Sequence, residues 1–341
     1  MRSLQYTRPG LVEWVVAPDP ALRDSGDALV RPVASAMCDL DRRIAAGTTG
    51  FTGPFPIGHE AVARIDELGD DATSSGLYPG QLVLVPLNPA CGTCAQCQAG
   101  RSGTCASVPS GGAFGVASPA AYGGLFDDAV RVPFAAHSLL PLPPGLAPWL
   151  AAAAADSMTD AYRLVAPTLA AQPDASVLVL NGTPTLGLFV VMFARALGAG
   201  EILFCDRDPA RARRARSVGA SKVRVGELPD VVDGHFQLVV DCSGQPEAGS
   251  ACAVRSVVPG GICAFGSVYF GDISLPYRDA YYRGVELRIG RPHVQPNAPT
   301  VLRMLAEGAV DPSPVLTAPL AYEDAPRLML DPPAGKAVFV R

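Results

Sequence analysis

Val177-Leu178-Val179-Leu180-Asn181-Gly182-Thr183-Pro184-Thr185-Leu186-Gly187 is the stretch from which the fold can be read. Four apolar residues running into a turn of Gly and Pro predict a buried strand that stops abruptly. An apolar helix, Gly187 to Leu197, follows and ends at Gly198. A second strand, Glu201 to Cys205, then closes on Asp206, twenty-four residues beyond Gly182. Strand, turn, helix, strand and acid in this order set a pyrophosphate on a helix N-terminus and a carboxylate on a ribose. The glycine fingerprint is imperfect. Gly182 and Gly187 match its first and last glycines, but Pro184, which has no N–H, stands where the middle one belongs.

The same rhythm continues downstream. Pro209 to Val218 reads as an arginine-studded helix, Phe236 to Val240 as a strand ending at Asp241, Glu247 to Val258 as a helix, and Ile262 to Phe265 as a strand ending at Gly266. Alternation of this kind predicts an α/β unit, a doubly wound parallel sheet of Rossmann type with helices on both faces. Upstream, Trp149 to Leu164 reads as helical and contains five consecutive alanines. Before Pro141-Leu142-Pro143-Pro144-Gly145 the character changes to short strands at Ala28–Val33, Ala61–Glu67, Gln81–Pro86 and Ala129–Pro133, the signature of a small β barrel. Residues 107–124 are rich in Gly, Ala, Ser and Pro and read as a loop that lines a pocket with Phe114 and Tyr122. The tail has one helix, Pro299 to Glu307, and a closing strand, Ala337 to Val340, too little for a core of its own. The expected organisation is thus a β domain over 1–148 with a cysteine lobe at 88–106, a dinucleotide-binding domain over 149–290, and a return to the first domain over 291–341.

Composition narrows the class. In 341 residues, 49% are hydrophobic and 17% charged, which excludes a disordered chain. The net charge of −5 gives no basic face for nucleic acid. No apolar run reaches the ~18 residues of a membrane span, and Met1 to Tyr6 carries no signal-like apolar region. Nine cysteines, an odd number, argue against a disulfide framework and for a cytoplasmic protein.

Four of these cysteines form Cys91-x2-Cys94-x2-Cys97-x7-Cys105. Short spacings let one loop wrap a tetrahedral zinc with four thiolates, leaving no position open for chemistry. The reading is a structural zinc. Unligated thiols or an iron–sulfur cluster are the alternatives, although iron–sulfur runs commonly end in Cys-Pro.

Ser35-Ala36-Met37-Cys38-Asp39-Leu40-Asp41 and, twenty-one residues after Cys38, Gly58-His59-Glu60 are bland in isolation. Set ahead of the cysteine lobe and a dinucleotide-binding half, they resemble the zinc-containing medium-chain dehydrogenase/reductase family of alcohol dehydrogenase type. Pro79-Gly80-Gln81-Leu82-Val83, Gly123-Gly124-Leu125-Phe126 and Gly335-Lys336-Ala337-Val338 add to the resemblance, which covers essentially the whole chain. It implies a GroES-like catalytic domain and a catalytic zinc held by Cys38, His59 and, from the alanine-rich helix, Asp156, as in the formaldehyde dehydrogenase branch, where a Tyr follows six residues on. It makes Glu60 an occasional ligand and Asp41 the partner that fixes the His59 tautomer. One thiolate, one imidazole and one carboxylate leave a fourth position open, where zinc polarises an alcohol or carbonyl oxygen.

On the cofactor side, Asp206 at the end of the second strand favours NAD over NADP, because a carboxylate repels a 2′-phosphate, although Arg207 beside it is a cation that such a group would meet. The turn residues Gly182, Thr183, Pro184, Thr185, Leu186 and Gly187 would hold the pyrophosphate. The resemblance adds Lys336 near the pyrophosphate and Gly266, Ser267 and Val268 along the nicotinamide. It also exposes departures. Leu40 stands where the family has a hydroxyl that starts a proton relay, Arg43 replaces the relay histidine, and Asp160 replaces a Thr, with Thr159 one place early. The activity implied is hydride transfer between a nicotinamide and an alcohol, aldehyde or ketone. A zinc-free quinone or enoyl reductase, or a non-enzymatic dinucleotide-binding protein, are the competing readings. The aromatic-rich stretch Gly261 to Tyr282 predicts an apolar surface buried in a homodimer or homotetramer.

Overall fold

The computed structural model describes residues 1–118 and 120–341, so Pro119 of the expected loop lies outside the described residues. The chain forms two compact units. The first comprises Met1–Thr159, Pro292–Glu307 and Leu316–Arg341; the second comprises Asp160–Arg291 and Gly308–Val315.

The first unit is built on β structure. Its larger sheet runs in the order Leu320–Ala321, Val338–Val340, Ala28–Ala36, Glu60–Leu68, Leu82–Val85, Leu140–Pro141, with Val130–Val132 also paired to Ala28–Ala36. A three-stranded sheet places Arg2–Arg8 between Leu11–Val16 and Phe55–Pro56. The inward positions of the central strands are valines and alanines, among them Val30, Ala34, Ala61 and Ala63, all fully buried. The tail returns as a strand: Val338 pairs with Ala36 and Val340 with Ala34, antiparallel. That pairing brings Lys336 toward the end of the strand from which Cys38 emerges.

The expected single helix Trp149 to Leu164 is broken. Pro148–Ala151 is α-helical, Ala152–Ala155 is a 3₁₀ turn, and a new helix runs Ser157–Ala171. Asp156 sits at the break with φ −152° and ψ −82°. Local propensity loses to tertiary hydrogen bonds. Leu87 N–H donates to the Ala155 carbonyl at 2.9 Å, and Ser157 N–H donates to Glu60 Oε1 at 2.9 Å, so neither group serves a continuous helix. The five alanines are wholly buried and the turn packs on the strand Glu60–Leu68. Small side chains allow that approach, and the first unit therefore extends to Thr159 rather than ending at residue 148.

The second unit is a six-stranded parallel sheet ordered Lys222–Val225, Ile202–Asp206, Val177–Asn181, Phe236–Cys242, Val257–Phe265, Glu286–Arg288. The order reverses between Val177–Asn181 and Phe236–Cys242, where doubly wound sheets bind ligands beyond their C-terminal strand ends. The central strands are buried apolar runs, as expected. Both edge strands escaped sequence reading because they are short, charged and without a buried residue, which is how edges are protected. The aromatic stretch after Phe265 holds a helix, Tyr277–Arg283, before the sheet resumes at Glu286. Among the described residues, no helix is long and apolar enough to cross a membrane.

Candidate active site and metal centres

The sulfurs of Cys91, Cys94, Cys97 and Cys105 all lie within 4.8 Å of one another. Backbone N–H groups point at them: Cys94 N donates to Cys91 Sγ at 3.4 Å, Cys91 N to Cys105 Sγ at 3.3 Å, and Ala106 N to Cys94 Sγ at 3.4 Å. N–H donors stabilise thiolate over thiol. Burial works against ionising Cys91, but hydrogen bonds from Ser107 and Thr93 outweigh it and bring its pKa down to about 5. Burial and the neighbouring thiols push Cys97 up to about 12. Four converging sulfurs cannot all ionise without a cation among them, and a dication meets that need. Gly92 makes the tight loop possible: its φ is +75°, and a Cβ there would lie 2.8 Å from the His137 ring.

A second cluster forms around His59. The strand pair Ala28–Ala36 and Glu60–Leu68 sets Ala36 opposite Glu60, which brings Cys38 and His59 together at one end of the sheet. Asp156, at the broken helix, completes the group. The ligating atoms of Cys38, His59 and Asp156 fall within 4.8 Å of one another. Cys38 Sγ and His59 Nε2 are each 3.5 Å from Asp156 Oδ2. Asp41 braces both neighbours: its Oδ2 accepts Cys38 N–H at 2.8 Å, and its Oδ1 lies 3.2 Å from His59 Nδ1. Both ring nitrogens of His59 are buried and have only ionic contacts among the described residues, Nδ1 with Asp41 and Nε2 with Asp156. A buried imidazole nitrogen aimed at a thiol and a carboxylate fits a zinc ion.

The ionisation of the cluster is set by burial acting against the charges around it. Burial pushes the Cys38 thiol up to about 11, despite the nearby Lys336 and His59 charges. Burial favours neutral His59, but the Asp41 carboxylate beside it prevails and holds its pKa well above the usual value. Burial also opposes charge on Asp156, yet hydrogen bonding and attraction to His59 bring it below the usual carboxylate range.

Glu60 takes a different place from the one expected. Its Oε1 accepts from Ser157 N–H and Oγ at 2.9 and 2.6 Å, and its Oε2 pairs with Lys336 Nζ at 2.6 Å. Both carboxylate oxygens are thus engaged, and Glu60 lies outside the ligand cluster. Lys336 also departs from expectation. Its side chain is wholly buried, and Nζ donates to Ser157 Oγ at 2.7 Å, so the ammonium serves Glu60 and Ser157 inside the first unit rather than reaching out to a pyrophosphate.

Residues 24–144 match the alcohol dehydrogenase GroES-like domain. A probable zinc-binding alcohol dehydrogenase of Mycobacterium tuberculosis is 27% identical over 330 residues, covering 95% of this chain and 83% of the relative. The glutathione-independent formaldehyde dehydrogenase of Pseudomonas aeruginosa is 29% identical over 273 residues, covering 75% of this chain and 65% of that protein. Among solved structures, the alcohol dehydrogenase of Thermus sp. ATN1 superposes with a TM-score of 0.90 at 29% identity, covering 100% of both chains. The chain carries an alcohol dehydrogenase GroES-like domain and is similar over nearly its whole length to zinc-type alcohol dehydrogenases. It is an oxidoreductase of alcohol dehydrogenase type, moving hydride between a nicotinamide cofactor and an alcohol or carbonyl compound.

In the second unit the turn after Val177–Asn181 is built from close backbone contacts. A Cβ on Gly182 would lie 2.0 Å from the Ser243 carbonyl oxygen, and one on Gly187 would lie 2.1 Å from Asn181 Oδ1. These two glycines are therefore fixed by packing around the turn of Thr183, Pro184 and Thr185, and Leu186 opens the helix Leu186–Ala196. Asp206 ends its strand as expected, but its carboxylate is already occupied. Arg211 makes a bidentate pair at 2.7 and 2.7 Å, Asn181 Nδ2 donates at 2.5 Å, and Asp208 N–H donates at 2.8 Å. Arg207 is exposed. Gly266 and Ser267 donate their N–H groups to the Asp241 carbonyl at 3.0 and 3.3 Å, while Val268 is 56% exposed.

Of the departures, Leu40 is half-buried in an apolar cluster that also holds Phe51, Phe55 and Val116. Asp160 pairs with Arg163 at 2.6 Å, and Thr159 Oγ1 donates to the Ala154 carbonyl at 2.6 Å. Tyr122 lines a cavity of about 290 Å³ with Phe55, Val116 and Ser118. Phe114 does not join it; the ring is wholly buried and packs on Tyr122 at 5.8 Å. Two residues that sequence reading missed are Ser157 and Arg211. Ser157 carried no signal beyond adjacency to Asp156. Arg211 lies in the first turn of the helix Pro209–Ser217 that follows Asp206, a spacing that marks it in retrospect.

Proposed function

We propose that Cys38, His59 and Asp156 hold a catalytic zinc, that Cys91, Cys94, Cys97 and Cys105 hold a structural one, and that NAD binds at the strand ends around Gly182, Asp206 and Gly266. The observation that carries the reading is the convergence of His59 Nε2, Cys38 Sγ and Asp156 Oδ2 in a buried cluster. Zinc, when bound, supplies Lewis acidity at the substrate oxygen, and the nicotinamide supplies the hydride acceptor or donor.

The chain's own groups prepare that site. Asp41 holds the imidazole through Nδ1 and leaves Nε2 free to ligate. Glu60, Lys336 and Ser157 form a closed charge pair that fixes the backbone at Ser157, and with it the orientation of Asp156. Leu40 has no polar atom, and the carboxylates of Glu60 and Asp160 are paired to cations, so the hydroxyl proton of an alcohol substrate leaves through water. NAD is the cofactor of this reading because the Asp206 carboxylate would set a negative charge against a 2′-phosphate, although Arg211 offsets part of that charge and keeps the discrimination against NADP modest. We also assign a homo-oligomer, on the edge strand Glu286–Arg288 and the exposed Tyr277, Tyr281 and Tyr282 beside it, and a reducing cytoplasmic setting, where nine free thiols persist. Sedimentation as a 35.3 kDa monomer at micromolar concentration overturns the assembly.

Metal analysis combined with a panel of alcohols and aldehydes tests the chemistry. Two zincs per chain, one lost in His59→Ala together with NAD reduction, support it. One zinc per chain in the wild type, with activity intact in His59→Ala, would hand the case to a zinc-free reductase on the same scaffold.

A further inference from the structure

Asp241 closes the strand Phe236–Cys242 at the point where the sheet order reverses. Its carboxylate is wholly buried. No cation pairs with it among the described residues; instead Oδ1 accepts Ser243 N–H at 2.9 Å and Oδ2 accepts the Tyr269 hydroxyl at 3.3 Å. The helix Pro246–Ser256 makes room for this group by carrying Gly249, where a Cβ would lie 2.8 Å from Asp241 Oδ1 and 2.1 Å from Ser243 Oγ. A buried carboxylate without a counter-charge is costly, so the hydroxyl and amide donors around it are specific requirements of the site.

The backbone at 241–244 ties three strand ends together. Gly182 and Thr183 donate to the Cys242 carbonyl at 3.0 and 3.2 Å, Gly266 and Ser267 donate to the Asp241 carbonyl, and Gly244 N–H donates to Ser267 Oγ at 3.1 Å. Beyond Ser267 the chain turns outward: Val268 and Phe270 are 56% and 43% exposed. Tyr269 alone of these three turns back, and its ring is half-buried. The phenol therefore anchors the outgoing end of the 266–270 segment to the strand that forms the switch point.

We propose that Tyr269 is a positioning residue for the cofactor: through Asp241 it holds the backbone of 266–268 in the conformation that receives the nicotinamide end of NAD. The proposal rests on the assignment of 266–268 to the nicotinamide given above. Burial raises the Asp241 pKa from its ordinary value, and burial with the Asp241 charge raises that of Tyr269, so the phenol remains a donor throughout the working pH range. At 3.3 Å the bond is longer than a strong charge-assisted one, and its weight is that of an ordinary hydrogen bond.

The test uses the zinc-loaded full chain and NADH as the probe. Hydrogen exchange of residues 266–270 with and without NADH examines the underlying assignment. Fluorescence titration gives the NADH Kd for the wild type, Tyr269→Phe, Asp241→Asn and the double variant. We expect NADH to protect the segment and Tyr269→Phe to weaken NADH binding about three- to tenfold, the weight of one hydrogen bond. KM for NAD should rise by the same factor, with kcat and melting temperature nearly unchanged, and the double variant should bind no more weakly than the worse single one. Protection with an unchanged Kd in Tyr269→Phe overturns the role of Tyr269 and leaves the assignment standing. Absence of protection in the wild type removes the assignment, and the proposal with it.

Discussion

Lys336 Nζ lies 2.6 Å from Glu60 Oε2, and both side chains are wholly buried. The pair links residues 276 positions apart in sequence and sits one residue from His59 and, through Ser157, one residue from Asp156. Burial alone would neutralise either partner, but the Glu60 charge keeps the Lys336 pKa above its ordinary value. The returning tail thus carries a charge that pairs a carboxylate buried in the first seventy residues of the chain.

Lys336→Met should therefore destabilise the protein by about 3–5 kcal/mol, because it leaves a buried carboxylate without its partner. The double variant Glu60→Gln with Lys336→Met should regain much of that loss. Denaturant unfolding measures both. A single variant as stable as wild type would show that Glu60 takes up a proton at no cost.

Cys97→Ser should lower stability and zinc content together while sparing the chemistry. An underfilled thiolate site binds metal weakly, and binding energy in such a site is folding energy. The expected result is one zinc per chain, a melting temperature lower by several degrees, and near-normal kcat for the chain that remains folded. A full complement of two zincs with an unchanged melting temperature would count against a structural metal in the lobe.

The sequence made legible what is periodic or tightly spaced. Val177–Asn181 and Phe236–Cys242 are apolar runs that only a parallel interior accommodates, and the Cys91–Cys105 spacing specifies its own loop. Contacts between distant segments stayed hidden. Nothing local to Lys336 distinguishes an enclosed ion pair from a group at a phosphate, and the alanine run gives no sign that the Ala155 carbonyl is taken by Leu87 and the helix interrupted at Asp156. Phe114 shows the same limit: apolar loop residues line cavities or fill cores, and the neighbours that decide between the two lie elsewhere in the chain.

Asp206 and Arg211 should set cofactor choice together. Asp206→Ala removes the charge that repels a 2′-phosphate and leaves the Arg211 guanidinium, held then by Asp208, with donors to offer that group. The ratio of kcat/KM for NAD over NADP should fall by roughly tenfold or more, since one charged contact is worth about 1.4 kcal/mol or above. Adding Arg211→Ala should abolish the gain for NADP. A wild type that already prefers NADP would refute the reading of Asp206.

Asp127 supplies a pH dependence of stability. Burial pushes its pKa up to about 7, against hydrogen bonds from Ser3, Gly124 and Leu4 that favour the charged form. A carboxyl whose folded pKa lies above the unfolded 3.8 binds its proton more tightly in the native state. Its stabilising contribution is present below pH 3.8 and is lost as pH rises to 7. Relative to Asp127→Asn, the wild type should lose up to about 4 kcal/mol across that window. Parallel stability profiles for the two proteins from pH 4 to pH 8 would place the Asp127 pKa near its ordinary value.

Leu40 bears on the proton. Oxidation of an alcohol requires its hydroxyl proton to leave as hydride is transferred, and a well-placed acid–base group is worth roughly 10²–10⁴-fold in rate. Leu40 packs in an apolar cluster with Phe51, Phe55 and Val116, so the side chain two positions after Cys38 offers no donor or acceptor. The remaining carboxylates nearby in sequence are committed, Glu60 to Lys336 and Ser157, and Asp160 to Arg163. On the proposed reading water carries the proton, and the rate should respond to bulk pH and buffer rather than to a side-chain relay. Leu40→Ser should change oxidation rates by less than about tenfold, because a single hydroxyl without a chain behind it recovers little of the general-base effect, while shifting the pH profile. Cys38→Ala and Asp156→Ala should abolish turnover in both directions. Full activity in Cys38→Ala, on whichever alcohol or aldehyde the wild type turns over, would remove the metal from the mechanism and make Leu40 the expected residue of a zinc-free reductase.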